Sequence, residues 1–132
     1  MDEIVGELIA AAVAAREKAF APFSKFRVGA AVRTKQGKVY TGCNVESASY
    51  GLTVCAERVA IWKAVSEGES EFEEIAVVTD TQKSTPPCGV CRQIIWEFCG
   101  DVPVVMATCG GQHQTIPMSE LLPHAFDTKF LE

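Results

Sequence analysis

Two short stretches constrain this chain more than anything else in it: Cys55-Ala56-Glu57-Arg58 and Pro86-Pro87-Cys88-Gly89-Val90-Cys91-Arg92. Together they supply three thiols and one carboxylate. Cys88 and Cys91 stand three residues apart at the start of a predicted helix, so both side chains can meet at one point. Cys55 opens a second predicted helix. The positive end of a helix dipole and its free N–H groups favour thiolate over thiol. Three thiolates with a nearby carboxylate form the inventory for a zinc ion with one open position and an acid/base partner. Four cysteine ligands would close the site and make it structural, whereas three leave room for water.

The other chemistry-bearing residues fall around this set. Glu57, two residues from Cys55, reads as the proton carrier and must reach back from the first helical turn; its plainer role is an acid that favours the helix dipole. Zinc with three thiolates is net negative, and Arg58 and Arg92 sit beside the ligands to offset that charge. A surface ion pair is the plainer role for Arg92. Cys43, Cys99 and Cys109 lie in apolar runs and read as small buried hydrophobes. His113 and His124 read as surface histidines, distant from the motifs in sequence. Joining all six cysteines as disulfides would require an oxidising compartment, and the acidic start Met1-Asp2-Glu3-Ile4 is not the basic opening of an export signal. A cytoplasmic protein is expected.

Along the chain, residues 3–19 pattern as an amphipathic helix that Pro22 ends. Phe26 to Arg33 alternates as a half-buried strand with Phe26, Val28, Ala30 and Val32 on one face. Lys35 to Lys38 turns it, and Val39 to Val45 returns. After a loop over Ser47 to Gly51, a helix from about Val54 to Ser66, capped by Thr53 or a neighbour, is apolar on more than one face and is expected to be the most buried. The acidic run Glu69 to Glu74 reads as a solvated loop. Ile75 to Thr79 has the unbroken apolar character of a parallel strand covered on both sides. Pro87 suits the first turn of the next helix, about Cys88 to Cys99, which Gly100 stops. Val102 to Thr108 and Gln112 to Ile116 are the last strands. The order α-β-β-α-β-α-β-β predicts an α/β fold in one domain over residues 1–132, its sheet covered by helices on both faces.

Several functions are excluded or disfavoured by bulk properties. The chain has 132 residues and a formal net charge of −5, with no basic cluster to neutralise phosphates, which argues against a nucleic-acid partner. No apolar run is long enough to span a bilayer, so no membrane partner is expected.

The two motifs are similar to the H-x-E and P-C-x-x-C signature of zinc deaminases, in its all-cysteine variant. Around them the chain resembles the cytidine deaminase family, in particular its small, three-cysteine, homotetrameric class that acts on free nucleosides. The likeness covers nearly the whole chain. It includes Ala21-Pro22-Phe23-Ser24-Lys25-Phe26, Gly42-Cys43-Asn44-Val45-Glu46, Ala48-Ser49-Tyr50 and Glu120-Leu121-Leu122-Pro123. It implies a three-layer α/β/α fold with a mixed five-stranded sheet and one zinc ion per subunit held by Cys55, Cys88 and Cys91. Glu57 would shuttle protons, and Arg58 would tune the zinc site electrostatically. Asn44 and Glu46 would hydrogen-bond the ribose hydroxyls; alternate residues at a strand end do point the same way. Phe26 would pack on the pyrimidine, with the backbone at Ala56 and the side chain of Glu57 reading the base edge. Phe126 would enter a neighbouring subunit's pocket, a role for which Phe130 competes. Pattern alone would make Phe26 and Phe126 core aromatics and Asn44 a turn residue.

The resemblance thus implies hydrolytic deamination of cytidine and 2′-deoxycytidine to uridine and 2′-deoxyuridine, with loss of ammonia, as in pyrimidine salvage. The rival enzyme is a blasticidin S-type deaminase, which Asn44-Val45-Glu46 disfavours. A non-catalytic zinc-stabilised binding module is the rival from another class, and a nucleic-acid editing deaminase ranks last on charge and size.

Overall fold

Helix α1 (Asp2–Arg16) lies almost in contact with the backbone of strand β1 (Val28–Thr34), and two small-residue surfaces make that approach possible. Leu8, Ala12 and Ala15 form the buried stripe of the helix. Opposite them is Gly29, where a Cβ would stand 2.0 Å from the carbonyl oxygen of Ala12. The computed structural model describes residues 2–131; Met1 and Glu132, which the reading of the chain ends includes, lie outside the described residues.

The remaining strands are β2 (Val39–Cys43), β3 (Phe72–Thr79), β4 (Pro103–Thr108) and β5 (His113–Pro117). They form one five-stranded sheet in the order β2-β1-β3-β4-β5. Only the β3–β4 pair is parallel, so the sheet is mixed, as expected. Helices α2 (Ala56–Ser66) and α3 (Gly89–Cys99) cover the face opposite α1, and a short α4 (Met118–Leu121) follows β5. Alternation along each strand divides the interior into two cores. Ala31, Ala76, Val78 and Val105 pack on α1, while Ala30, Val32, Ile75, Val104 and Met106 pack with Ala60, Ile61 and Ile95 of α2 and α3. The three-layer α/β/α arrangement is therefore the one expected, and Ile75 to Thr79 is buried on both faces.

Several boundaries differ from the sequence reading, each for a local reason. Helix α1 stops at Arg16 instead of continuing to residue 19, because the N–H groups of Lys18 and Ala19 bond three residues back and tighten the turn. Helix α2 starts at Ala56 with Cys55 as its cap. Val54 instead pairs with Val45, and the Thr53 hydroxyl accepts the N–H of Ser47 at 3.0 Å. Cys88 likewise caps α3, so Pro87 precedes the helix rather than opening it. The expected loop over Glu69 to Glu74 is half strand, because Phe72 is buried and pulls β3 back to that residue. Strand β1 begins at Val28, not Phe26. Strand β2 ends at Cys43, and Tyr50–Leu52 form a 3-10 turn that overlaps the end of the expected loop. Cys109 is exposed, and Cys43 and Cys99 are only half-buried, so these cysteines are not the buried hydrophobes expected. Cys109 follows the last residue of β4, just outside the core.

One buried ion pair crosses the sheet. Arg33 and Glu74 approach to 2.7 Å with side chains 7% and 12% exposed, and the same guanidinium donates to the Ile4 carbonyl at 2.7 Å.

Helix α2 also crosses β2 at close range, though less tightly than α1 crosses β1. At Gly42 a Cβ would lie 2.5 Å from both the Ala56 carbonyl oxygen and the Ala60 nitrogen. Substituting Gly42→Ala is expected to push the first turn of α2 outward. The overpacking should cost about 1–3 kcal/mol and lower the melting temperature by several degrees. Because the displaced turn carries Cys55, zinc content should fall with it; a thermal melt beside a zinc assay checks both, and full zinc occupancy in the variant would contradict the argument.

Candidate metal centre and cleft

Cys55 and Cys88 occupy the cap positions of α2 and α3, with extended backbone (φ −74°, ψ 155° and φ −67°, ψ 169°) and no hydrogen bond from either side chain to its helix end. Cys91 lies one turn into α3 and is fully buried. The three sulfurs all lie within 4.8 Å of one another. A tetrahedral zinc with Zn–S bonds of about 2.3 Å places its sulfurs about 3.8 Å apart, so the cluster fits this ion with small adjustment. The donor chemistry fits as well. A hydrogen bond from Cys91 holds the Cys55 thiol at about 5, far below its ordinary value, with Arg58 adding to the effect. The same hydrogen bond and burial push Cys91 up, so in the metal-free cluster Cys91 is the proton donor and Cys55 the thiolate.

Arg58 places a guanidinium nitrogen 3.6 Å from the Cys55 sulfur and 3.3 Å from the Thr53 carbonyl oxygen, and its guanidinium lies 5.8 Å from the centre of the Trp62 ring. Among the described residues its buried Nε has no hydrogen-bond partner. Arg92 behaves differently from either sequence reading. It donates to the carbonyl oxygens of Pro87 at 2.9 Å and Leu121 at 2.8 Å, tying the start of α3 to α4.

Cys55 and Cys88 face a cleft of about 300 Å³. Ala56 and Glu57 line the same cleft from the first turn of α2, and Glu57 is 4% exposed. Burial, with the neighbouring Cys55 charge, raises the Glu57 carboxyl to about 7. A helix acid serving only the dipole would face solvent with an ordinary pKa, and Glu57 does neither.

Phe26, Asn44 and Glu46 line this cleft too. Phe26 is 42% exposed, with its ring outside the core that pattern alone assigned to it. Asn44 accepts the Val28 N–H at 2.9 Å and donates to the Phe26 carbonyl at 2.7 Å, which fixes its amide orientation and starts β1. The Glu46 carboxylate accepts the N–H groups of Phe23 at 3.0 Å and Ser24 at 3.1 Å, as well as the Ser24 hydroxyl. The Ser24 hydroxyl is the main reason that its pKa is lowered. Phe126 does not line the cleft of its own chain. It stacks on Phe130 at 5.6 Å, both rings are exposed, and Gln93 holds the Phe126 carbonyl at 2.7 Å. Sequence reasoning assigned no role to Ser24, Thr53, Thr79 and Thr85, which also line the cleft. Isolated hydroxyls carry no motif. Val28, also on the wall, was accessible from its alternation with Phe26.

Removing the metal from protein that carries it is expected to loosen the junction of α2 and α3 and lower the melting temperature, with recovery on adding zinc. In the stripped protein Cys55, lowered from 9.0 to about 5, is a thiolate at neutral pH and gains its proton only as the pH falls through that value. Ultraviolet thiolate absorbance at neutral pH, lost on acidification and absent in Cys55→Ser, is the expected signature; no absorbance until alkaline pH would overturn it.

Comparison with known proteins agrees with this geometry. A family model of the cytidine and deoxycytidylate deaminase zinc-binding region matches residues 3–108. A cytidine deaminase of Halalkalibacterium halodurans is 52% identical over 120 residues, covering 90% of this chain and 91% of the relative. The crystal structure of cytidine deaminase from Burkholderia pseudomallei superposes with a TM-score of 0.89 at 48% identity, covering 92% of this chain and 98% of that one. A blasticidin-S deaminase of Bacillus cereus is 35% identical over 108 residues, 76% of each chain. With three clustered thiols at two helix starts, the sheet order and these matches in agreement, the chain belongs to the cytidine and deoxycytidylate deaminase zinc-binding family.

Proposed function

We propose that this protein hydrolyses the exocyclic amine of cytidine and 2′-deoxycytidine, forming uridine and 2′-deoxyuridine with release of ammonia. The observation that carries the reading is the buried Glu57 on the same cleft as Cys55 and Cys88, a cleft that Asn44 and Glu46 also line. Cys55, Cys88 and Cys91 would hold one zinc ion per subunit, which when bound would supply Lewis-acid activation of water near neutral pH. Glu57 takes one proton from the attacking water and gives it to the ring nitrogen, where it stays in the product; it then takes the second proton, from the new C4 hydroxyl, and gives it to the departing amine. The C4–O bond forms in the first transfer, and the C4–N bond breaks in the second as the C4 oxygen becomes a carbonyl. A carboxyl poised near 7 is matched to both halves of this transfer. Arg58 offsets the thiolate charge. Phe26 stacks on the pyrimidine, the backbone at Ala56 helps to read the base edge, and Asn44 and Glu46 receive the ribose hydroxyls. Glu46 is already oriented by the backbone at Phe23 and Ser24, so little ordering remains for the substrate to induce.

We further assign residues 1–132 to one catalytic domain that works in the cytoplasm as a homotetramer. The exposed Phe126–Phe130 stack supports a subunit contact, with Phe126 completing a neighbour's cleft. No helix among the described residues is long and apolar enough to cross a membrane.

The direct test offers cytidine, deoxycytidine and blasticidin S separately and follows ultraviolet change with ammonia release. Turnover of the two nucleosides alone is expected. Turnover of blasticidin S alone would move the assignment to the activity named for the 35% identical relative. Substituting Glu57→Ala should retain zinc and lower turnover by about 10²–10⁴-fold, and substantial residual activity would remove the proton-carrying role. Substituting Glu46→Ala should weaken nucleosides by about 5- to 150-fold while leaving free cytosine nearly unchanged; equal losses on both would refute the ribose assignment.

A further inference from the structure

Three threonine hydroxyls meet beside the cleft, and their hydrogen-bond directions are fixed by a single carbonyl. Thr81 Oγ1 lies 2.8 Å from Thr79 Oγ1 and 3.3 Å from Thr85 Oγ1, and it also bonds the carbonyl oxygen of Lys83. A carbonyl can only accept, so Thr81 gives its one proton to Lys83. A hydroxyl has one proton and two lone pairs. Thr81 must then accept from both neighbours, and Thr79 and Thr85 each use their proton on Thr81. Among the described residues neither has a further side-chain hydrogen-bond partner. Both line the cleft, Thr79 at the buried end of β3 and Thr85 three residues before Cys88. What they have left to offer a ligand is lone pairs.

We infer that the Thr79–Thr81–Thr85 relay makes this wall of the cleft an acceptor surface, which selects a ligand bearing an N–H donor over one bearing a carbonyl at the same place. Resting on the deaminase reading, this makes Thr79 and Thr85 specificity-determining residues. They favour the amino-bearing substrate, and the amine as it leaves, over the oxo product. Thr81 is a positioning residue that sets the direction of both hydroxyls without touching the ligand. Burying a carbonyl against an acceptor leaves both unpaired, so the wall weakens product retention as well as aiding substrate binding.

The test measures KM for cytidine and the inhibition constant for uridine in wild type, Thr81→Val and Thr85→Val, with zinc content and melting temperature alongside. Valine keeps the shape and removes the hydroxyl. In Thr81→Val the two outer hydroxyls are released to donate into the cleft, so uridine inhibition should tighten relative to cytidine KM by about fivefold or more. Thr85→Val deletes one acceptor and should shift the ratio in the same direction less strongly, with Thr85→Ser restoring it. A role confined to bracing the loop would lower stability or zinc content and leave the ratio of the two constants unchanged. An unchanged ratio in both variants overturns the inference while leaving the deaminase assignment intact. Failure of the wild-type protein to deaminate cytidine would instead remove the reading on which it rests.

Discussion

Two helices begin at one point in space, and the rest of the structure arranges that coincidence. The starts of α2 and α3 bring Cys55, Cys88 and Cys91 within 4.8 Å of one another, where the dipoles of two helix ends add and favour negative sulfur. Neither helix is placed by its own sequence alone. α2 rests on the bare backbone of Gly42, and the start of α3 is fastened by Arg92 to Pro87 and Leu121. Cysteine at the two caps is part of the same arrangement. Ser or Asp there would turn its oxygen back onto the helix, whereas these thiols make no capping bond and remain free to converge.

The cleft beside the sulfurs is polar at selected atoms and otherwise apolar. Glu57 is buried against Cys55 and so stays close to its own titration point at neutral pH, while Glu46, bonded by Ser24 and Phe23, is held ionised. Two carboxylates in one cleft thus differ because their partners differ, and that difference separates the proposed proton carrier from the proposed anchor.

Much of this was legible in the chain. The metal set was readable because ligand spacing is local: Cys91 three residues after Cys88 at one helix start, and Glu57 two residues beyond Cys55 at another. The strands were readable where burial imposed alternation. The errors occurred where a single tertiary contact outweighed local pattern. Phe72 drew an acidic run into β3, and the Thr53 hydroxyl accepts the Ser47 N–H, leaving Cys55 to cap α2. Arg92 was misread because its carbonyl partner Leu121 is distant in sequence. The Thr79, Thr81 and Thr85 hydroxyls were invisible for a related reason: threonine is common, and only the fold turns three of them toward one another. Phe126 gained a role from family resemblance that no pattern within one chain contains.

The ion pair of Arg33 and Glu74 bears on a different problem, how the sheet chooses its alignment. Strand β1 is buried on both faces, and its residues Gly29, Ala30, Ala31 and Val32 are small and apolar, so a two-residue slide is resisted chiefly by the close approach of α1 at Gly29 and by the charges further along. Arg33 and Glu74 are direct cross-strand partners in the observed register. Any slide would leave a guanidinium and a carboxylate buried apart, at a cost of about 3–5 kcal/mol. The pair therefore acts less as a bond that strengthens the sheet than as a check that rejects its misaligned competitors. Through that alignment it sets which residue of β3 arrives beside the cleft.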